Sequence, residues 1–192
     1  MRRMPPAPLP SAFYRRPALE VARDLLGRRL CRRLPDGSVL SGRIVEVEAY
    51  DGPDDRASHA RAGLTPRTAP MFEAGGIAYV YLVYGMHHCL NLVTGDAGYP
   101  AAILLRAADS PAAGASASGP GRLTRAFAID RALDGAPLSG PELWLEAGEP
   151  VPDRAVARTP RVGVDYAGSW ARRRMRLLIG GHPAVSRAPR RR

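Results

Sequence analysis

The stretch Gly42 to Tyr50, GRIVEVEAY, constrains this chain more than any other. Side chains on a β-strand alternate between its two faces. Val45, Val47 and Ala49 therefore share one face, and Ile44, Glu46, Glu48 and Tyr50 share the other. The first face asks for a core. The second carries two carboxylates about 7 Å apart, given a rise of about 3.3 Å per residue. Such a pair is either a solvated face whose glutamates meet surface arginines, or a site in which one carboxylate is a base and the other structural. Tyr50 at its end, and a Gly/Pro-rich loop carrying His59 just beyond, favour a pocket with acid/base groups beside an aromatic wall.

The remaining pattern predicts short elements in one domain over 1–192. A helix is expected over Pro17–Gly27, with a stripe of Leu19, Ala22, Leu25 and Leu26. A hairpin over Leu30–Tyr50 turns at Pro35-Asp36-Gly37. The connection Asp51–Gly76 is long enough to be functional, with a short helix over Thr65–Phe72. Ile77–Tyr84, His88–Thr94 and Ala101–Arg106 read as strands, Arg122–Leu133 as a helix, and Leu143–Leu145 and Arg161–Val164 as further strands. A charge at the end of an apolar strand, as at Arg106, calls for an anionic partner. Residues 1–11 are expected to be a disordered leader, Ala107–Gly121 a mobile loop and 186–192 a basic tail.

Charge narrows the partner. The chain has 28 basic and 18 acidic residues, a net charge of +10, and an isoelectric point near 10.7. That suits a polyanion, and nucleic acid ahead of a membrane, because no basic amphipathic helix with a strong apolar face is evident. No apolar run approaches the roughly 20 residues that span a bilayer. Every basic residue is arginine. A phosphate loop of the GxxxxGK[ST] type is thereby excluded, and no side-chain amine is present to form a Schiff base. Cys31 and Cys89 are far apart, so a disulfide scaffold or thiolate zinc site is not expected, and the compartment is the reducing cytoplasm. His87 and His88 are adjacent on a strand and point apart, so they do not share a metal. Tyr79 and Tyr81 face one way and Tyr84 the other, an aromatic arrangement that suits a flat ligand.

Taken in order, these segments resemble the alkyladenine type of 3-methyladenine DNA glycosylase. The matching stretches are GRIVEVEAYDGPDDRASHA from Gly42, TPRTAPMF from Thr65, AYVYLVYGMHHCLNLVT from Ala78, AILLRA from Ala102, GPGRLTRAFAI from Gly119 and LWLE from Leu143. The combination of EAY, a histidine nine residues after the tyrosine, YVYxxYGM and LLRA is highly specific. The resemblance implies an α/β (α+β) domain with a curved antiparallel sheet flanked by helices, no metal or other cofactor, and double-stranded DNA that contains damaged purines as the partner; a monomer is the simpler expectation for an enzyme that must clamp one strand. It implies Glu48 as the base that activates water, with Arg106 helping to hold that water network and the flipped nucleotide's phosphate. Tyr50 and His59 would form one wall of the base pocket and Tyr81 the other, with Asn91 at the floor disfavouring guanine. Tyr84 would wedge into the duplex with Met86 in support, and Arg67 would contact DNA. The enzyme would remove alkylated or deaminated purines and leave an abasic site, in a bacterial-type cytoplasm and on the nucleoid. The sequence departs from the family pattern at His87, where an aromatic or other large residue is expected. A module that binds damaged nucleic acid without cleaving it is the competing reading.

Overall fold

The 13-residue strand Val39–Asp51 organises the computed structural model, which describes residues 7–109 and 117–186. Eight strands form one antiparallel sheet: β1 (Arg29–Arg33), β2 (Val39–Asp51), β3 (Ala78–Val83), β4 (His87–Val93), β5 (Ala101–Asp109), β6 (Leu143–Glu146), β7 (Val156–Thr159) and β8 (Arg176–Ile179). The order β3-β4-β5-β2-β1-β6 curls into a half-barrel. β2 is long enough to serve three neighbours. Its first half pairs with β1, its second half with β8, and β5 runs along residues 43–51. The register on β5 slips around Val45, between Ile44 and Val47. Such a bulge bends a strand and re-aims its side chains.

Three short helices, α1 (Ser11–Tyr14), α2 (Ala18–Leu25) and α3 (Pro120–Ala126), cover the sheet. In α2, Ala18, Val21, Ala22 and Leu25 are buried, a spacing that gives one apolar face. They join Leu30, Ile44, Leu90, Ile103 and Phe127 in one core cluster. After α2 the backbone of Gly27 passes directly against that of Gly148 and Glu149, where a Cβ on either glycine would collide with a carbonyl oxygen.

Several expectations are corrected. Residues 7–11 are not a loose leader: Leu9 is buried and donates its N–H to Leu145 O at 2.7 Å, while residues 1–6 lie outside the described residues. β5 runs past Arg106 to Asp109, and Ser118 bridges back to Ala107. Of the expected mobile loop only residues 110–116 lie outside the described residues. The helix expected over Arg122–Leu133 stops at Ala126, because Ala128 takes a positive φ of 49°, and a separate 3-10 turn holds Arg131–Leu133. Arg161–Val164 is a loop with Gly163 at φ 75°, and the strands of this region are β7 and β8. Of the expected basic tail, Ser186 is buried and anchored, while 187–192 lie outside the described residues.

Candidate active site

Neither face of β2 is solvated between Ile44 and Ala49. Glu46 and Glu48 are both completely buried, so each must find partners within the protein. Glu46 is saturated. Its Oε1 accepts from Arg106 Nε at 2.8 Å, Arg176 Nε at 2.7 Å and Ser186 Oγ at 2.8 Å, and its Oε2 accepts from Ser186 N at 2.6 Å. Arg176 Nη2 also donates to Ser186 O at 3.0 Å. Glu46 is therefore the structural carboxylate of the pair.

Glu48 is placed differently. It borders a cavity of about 530 Å³ lined by Tyr50, His59, Tyr81, Asn91 and Arg106. Its Oε1 accepts from Val162 N at 2.7 Å and lies 3.4 Å from Arg106 Nη1. Its Oε2 accepts from Tyr50 OH at 2.9 Å. A carboxylate offers about four lone-pair sites, so Oε2 keeps capacity for a further donor from the cavity. Burial alone would depress the Arg106 guanidinium, but Glu48 and Glu46 beside it raise it above its ordinary value. Burial and Glu48 push the Tyr50 phenol well above its usual range, so it stays a donor.

The aromatic groups divide in a way the sequence did not foretell. His59 meets Tyr81 edge-on with ring centres 4.6 Å apart. Two rings in direct contact leave no room for a flat ligand between them, so His59 and Tyr81 belong to one wall and do not face each other across the cavity. Tyr79 extends that wall, its ring 5.3 Å from Tyr81 and its OH 3.1 Å from His59 Nδ1. Burial, with Arg67 nearby, drops the His59 pKa to about 4, so the ring is neutral at pH 7. Arg67 itself is exposed, with its guanidinium 5.4 Å from the centre of the Tyr81 ring. Asn91, buried on β4, donates Nδ2 to Tyr79 O at 3.1 Å.

Tyr84 is not on the far face of β3 but in the turn that follows. Tyr84 and Gly85 both have positive φ (50° and 68°), and Met86 N donates to Val83 O at 3.0 Å. This is the backbone that two twisted antiparallel strands favour in a tight hairpin. The turn carries Tyr84 at the cavity mouth, 90% exposed, with Met86 beyond it, 69% exposed. His87 packs near Gly121, where α3 begins.

Four contributors had no local signal in the sequence: the Val162 N–H, the buried Arg161–Asp55 pair behind Tyr50, Arg176 and Ser186. Their partners lie far along the chain. Among the described residues no cluster of His, Cys, Asp and Glu could hold a metal ion, and no helix is long and apolar enough to cross a membrane.

Residues 12–183 match the family model for methylpurine-DNA glycosylase. The chain is 55% identical over 184 residues to a protein of Anaeromyxobacter dehalogenans named as a 3-methyladenine DNA glycosylase, covering 94% of this chain and 86% of that one. A protein of the same name from Myxococcus xanthus is 50% identical, with 94% of each chain covered. The human DNA-3-methyladenine glycosylase is 41% identical over 200 residues, covering 91% of this chain and 66% of the human one.

Proposed function

The chain belongs to the methylpurine-DNA glycosylase family, a DNA-repair hydrolase of N-glycosyl bonds, and we propose that Glu48 drives the excision. The substrates proposed are alkylated or deaminated purines in duplex DNA: 3-methyladenine, 7-methylguanine, hypoxanthine and ethenoadenine. The observation that carries this reading is a buried carboxylate with spare lone-pair capacity at the edge of an aromatic cavity, fixed by Val162 N, Tyr50 OH and Arg106.

A base stacked in a duplex is out of reach, so the damaged nucleotide must flip out at a cost of a few kcal/mol. Tyr84 at the cavity mouth fills the gap left behind and Met86 supports it. Arg67, exposed beside the cavity, contacts DNA. The flipped base stacks on Tyr50, with His59 and Tyr81 across from it. His59 is neutral at working pH and so does not repel a cationic N-alkylpurine, which the aromatic faces attract. Asn91 at the floor discriminates against guanine's exocyclic amine.

Glu48 accepts a proton from a water whose oxygen attacks C1′ of the sugar. The C1′–N bond breaks, and its electron pair leaves with the base. A cationic N-alkylated base departs neutral, whereas a neutral base such as hypoxanthine needs a proton as it leaves. The sugar passes through an oxocarbenium-like state that the nearby carboxylate stabilises. Arg106 orients Glu48 and the flipped nucleotide's phosphate. The chain has no lysine, which supports a monofunctional enzyme that leaves an intact abasic site. It acts as a monomer in the cytoplasm.

The test uses a labelled duplex with one hypoxanthine or one 7-methylguanine, incubated with wild type and Glu48→Gln. Wild type should give strand breaks only after alkali, and Glu48→Gln should be slower by at least about 10²-fold while still binding the lesion. Excision by Glu48→Gln at the wild-type rate would remove Glu48 from its role. Strand breaks without alkali would refute the monofunctional assignment.

A further inference from the structure

Behind Tyr50 lies a charge that the chemistry above does not use. The Arg161 guanidinium carbon sits 4.6 Å from the centre of the Tyr50 ring. Tyr50 borders the cavity and Arg161 does not, so the guanidinium covers the ring face turned away from the ligand. It is held there on several sides. Nη1 donates to Ala49 O at 2.9 Å, Nη2 donates to Asp55 Oδ1 at 2.8 Å, and Nη1 also pairs with Asp55 Oδ2. Arg161 is 5% exposed and Asp55 fully buried. Asp55 is fixed in turn by the N–H groups of Asp51 and Ala57. The stack is thus built from three elements and cannot drift.

The π-face of an aromatic ring attracts cations. A ring with a cation already on one face holds a second on the other less well. A flat base stacked on the front of Tyr50 at about 3.5 Å would lie on the order of 8 Å from the guanidinium, close enough for charges to interact in a poorly hydrated pocket. Asp55 weakens this effect without cancelling it, because the guanidinium is the member of the pair that lies over the ring. A neutral base feels little of it.

We propose that Arg161, held by Asp55, is a specificity-determining residue that lowers the preference of the pocket for cationic lesions over neutral ones. The inference rests on Tyr50 as a base-stacking wall. Glu48 biases the site in the opposite direction and is left intact in the test, so that bias is common to all forms compared.

The experiment compares single-turnover excision of 7-methylguanine, which is cationic, and hypoxanthine, which is neutral, at one position of one duplex, with enzyme well below saturation so that the rate includes capture of the flipped base. The paired substitution Arg161→Gln with Asp55→Asn removes both charges and keeps an amide pair. It should raise the ratio of 7-methylguanine to hypoxanthine excision by about 3–10-fold. Arg161→Lys keeps the cation and should leave that ratio within about twofold of wild type. Should the amide pair not fold, Arg161→Met covers the ring without charge and carries the same expectation. A neutral variant that slows both substrates equally overturns the proposal and leaves Arg161 a structural residue. Tyr50→Leu separates the two levels. If it changes neither substrate, the stacking role of Tyr50 fails. If it impairs both while the neutral variants leave the ratio unmoved, only the role of Arg161 fails.

Discussion

Replacing Glu46 by glutamine changes one atom and should cost much of the stability of the fold. The carboxylate takes three donors on Oε1 and one on Oε2, from Arg106, Arg176 and Ser186. An amide has one oxygen, and its NH2 must point at a donor. The better orientation keeps the oxygen among the guanidiniums and sets NH2 against the Ser186 N–H. Arg176 then faces only a neutral amide, and Arg106 keeps Glu48 alone, whose Oε1 is 3.4 Å from Arg106 Nη1. Removing one partner of a buried ion pair costs about 3–5 kcal/mol, against a total of about 5–15 kcal/mol for a domain. At about 2–4 °C per kcal/mol for a chain of this size, Tm should fall by roughly 6–20 °C. Thermal unfolding followed by circular dichroism measures this directly. A fall under about 2 °C would mean that water already shares the carboxylate, and the reasoning from a sealed network would be wrong.

The His59 imidazole has a pKa near 4 in the fold against 6.5 in the unfolded chain. The unfolded chain therefore binds more protons between those values, and stability should rise with pH across that window and fall as pH drops towards 4; His59→Gln should flatten the slope of Tm against pH. Tyr84 holds a left-handed backbone that costs a non-glycine residue about 1–2 kcal/mol. Tyr84→Gly should leave Tm unchanged or slightly raised while lowering duplex excision by at least about tenfold, and a lower Tm with unchanged excision would contradict both the strain and the wedge. Gly148→Ala drives a Cβ into Gly27 O, so it should lose about 3 kcal/mol or more, read as a shift in the denaturant midpoint; a shift of less than a quarter of that would show that the two backbones can separate.

How much of this could be read along the chain depends on how far each partner lies from the residue it serves. The alternation of β2 announced a strand with two carboxylates on one face, and both do reach Arg106. It could not announce that this face is sealed, because the cover comes from β8 and Ser186, 130 and 140 residues on from Glu46. Arg176 stands two residues after three consecutive arginines, Arg172 to Arg174, so nothing local marks it as a buried charge opening the strand RLLI. Only its distant acceptor makes it a buried strand residue. Tyr79 and Tyr81 were legible as a wall, since a period of two suffices. The side of the cavity on which His59 falls was not, because the loop from Asp51 to Gly76 has no period that fixes a direction. Asp55 gives no local sign of its role either, with Arg161 lying 106 residues away.

The polar seat beneath Arg106 is assembled from residues 46, 106, 176 and 186. During synthesis, Arg106 leaves the ribosome 80 residues ahead of Ser186, a gap on the order of ten seconds at about 5–20 residues per second. Through that interval Glu46 and Arg106 can meet, but Arg176 and the serine that closes the seat do not yet exist. A nascent chain whose cavity tyrosines, Tyr50, Tyr81 and Tyr84, are already made thus still lacks two of the groups that settle the guanidinium beside Glu48. The guanidinium beside Glu48 gains its full set of supports only after residue 186 has been made.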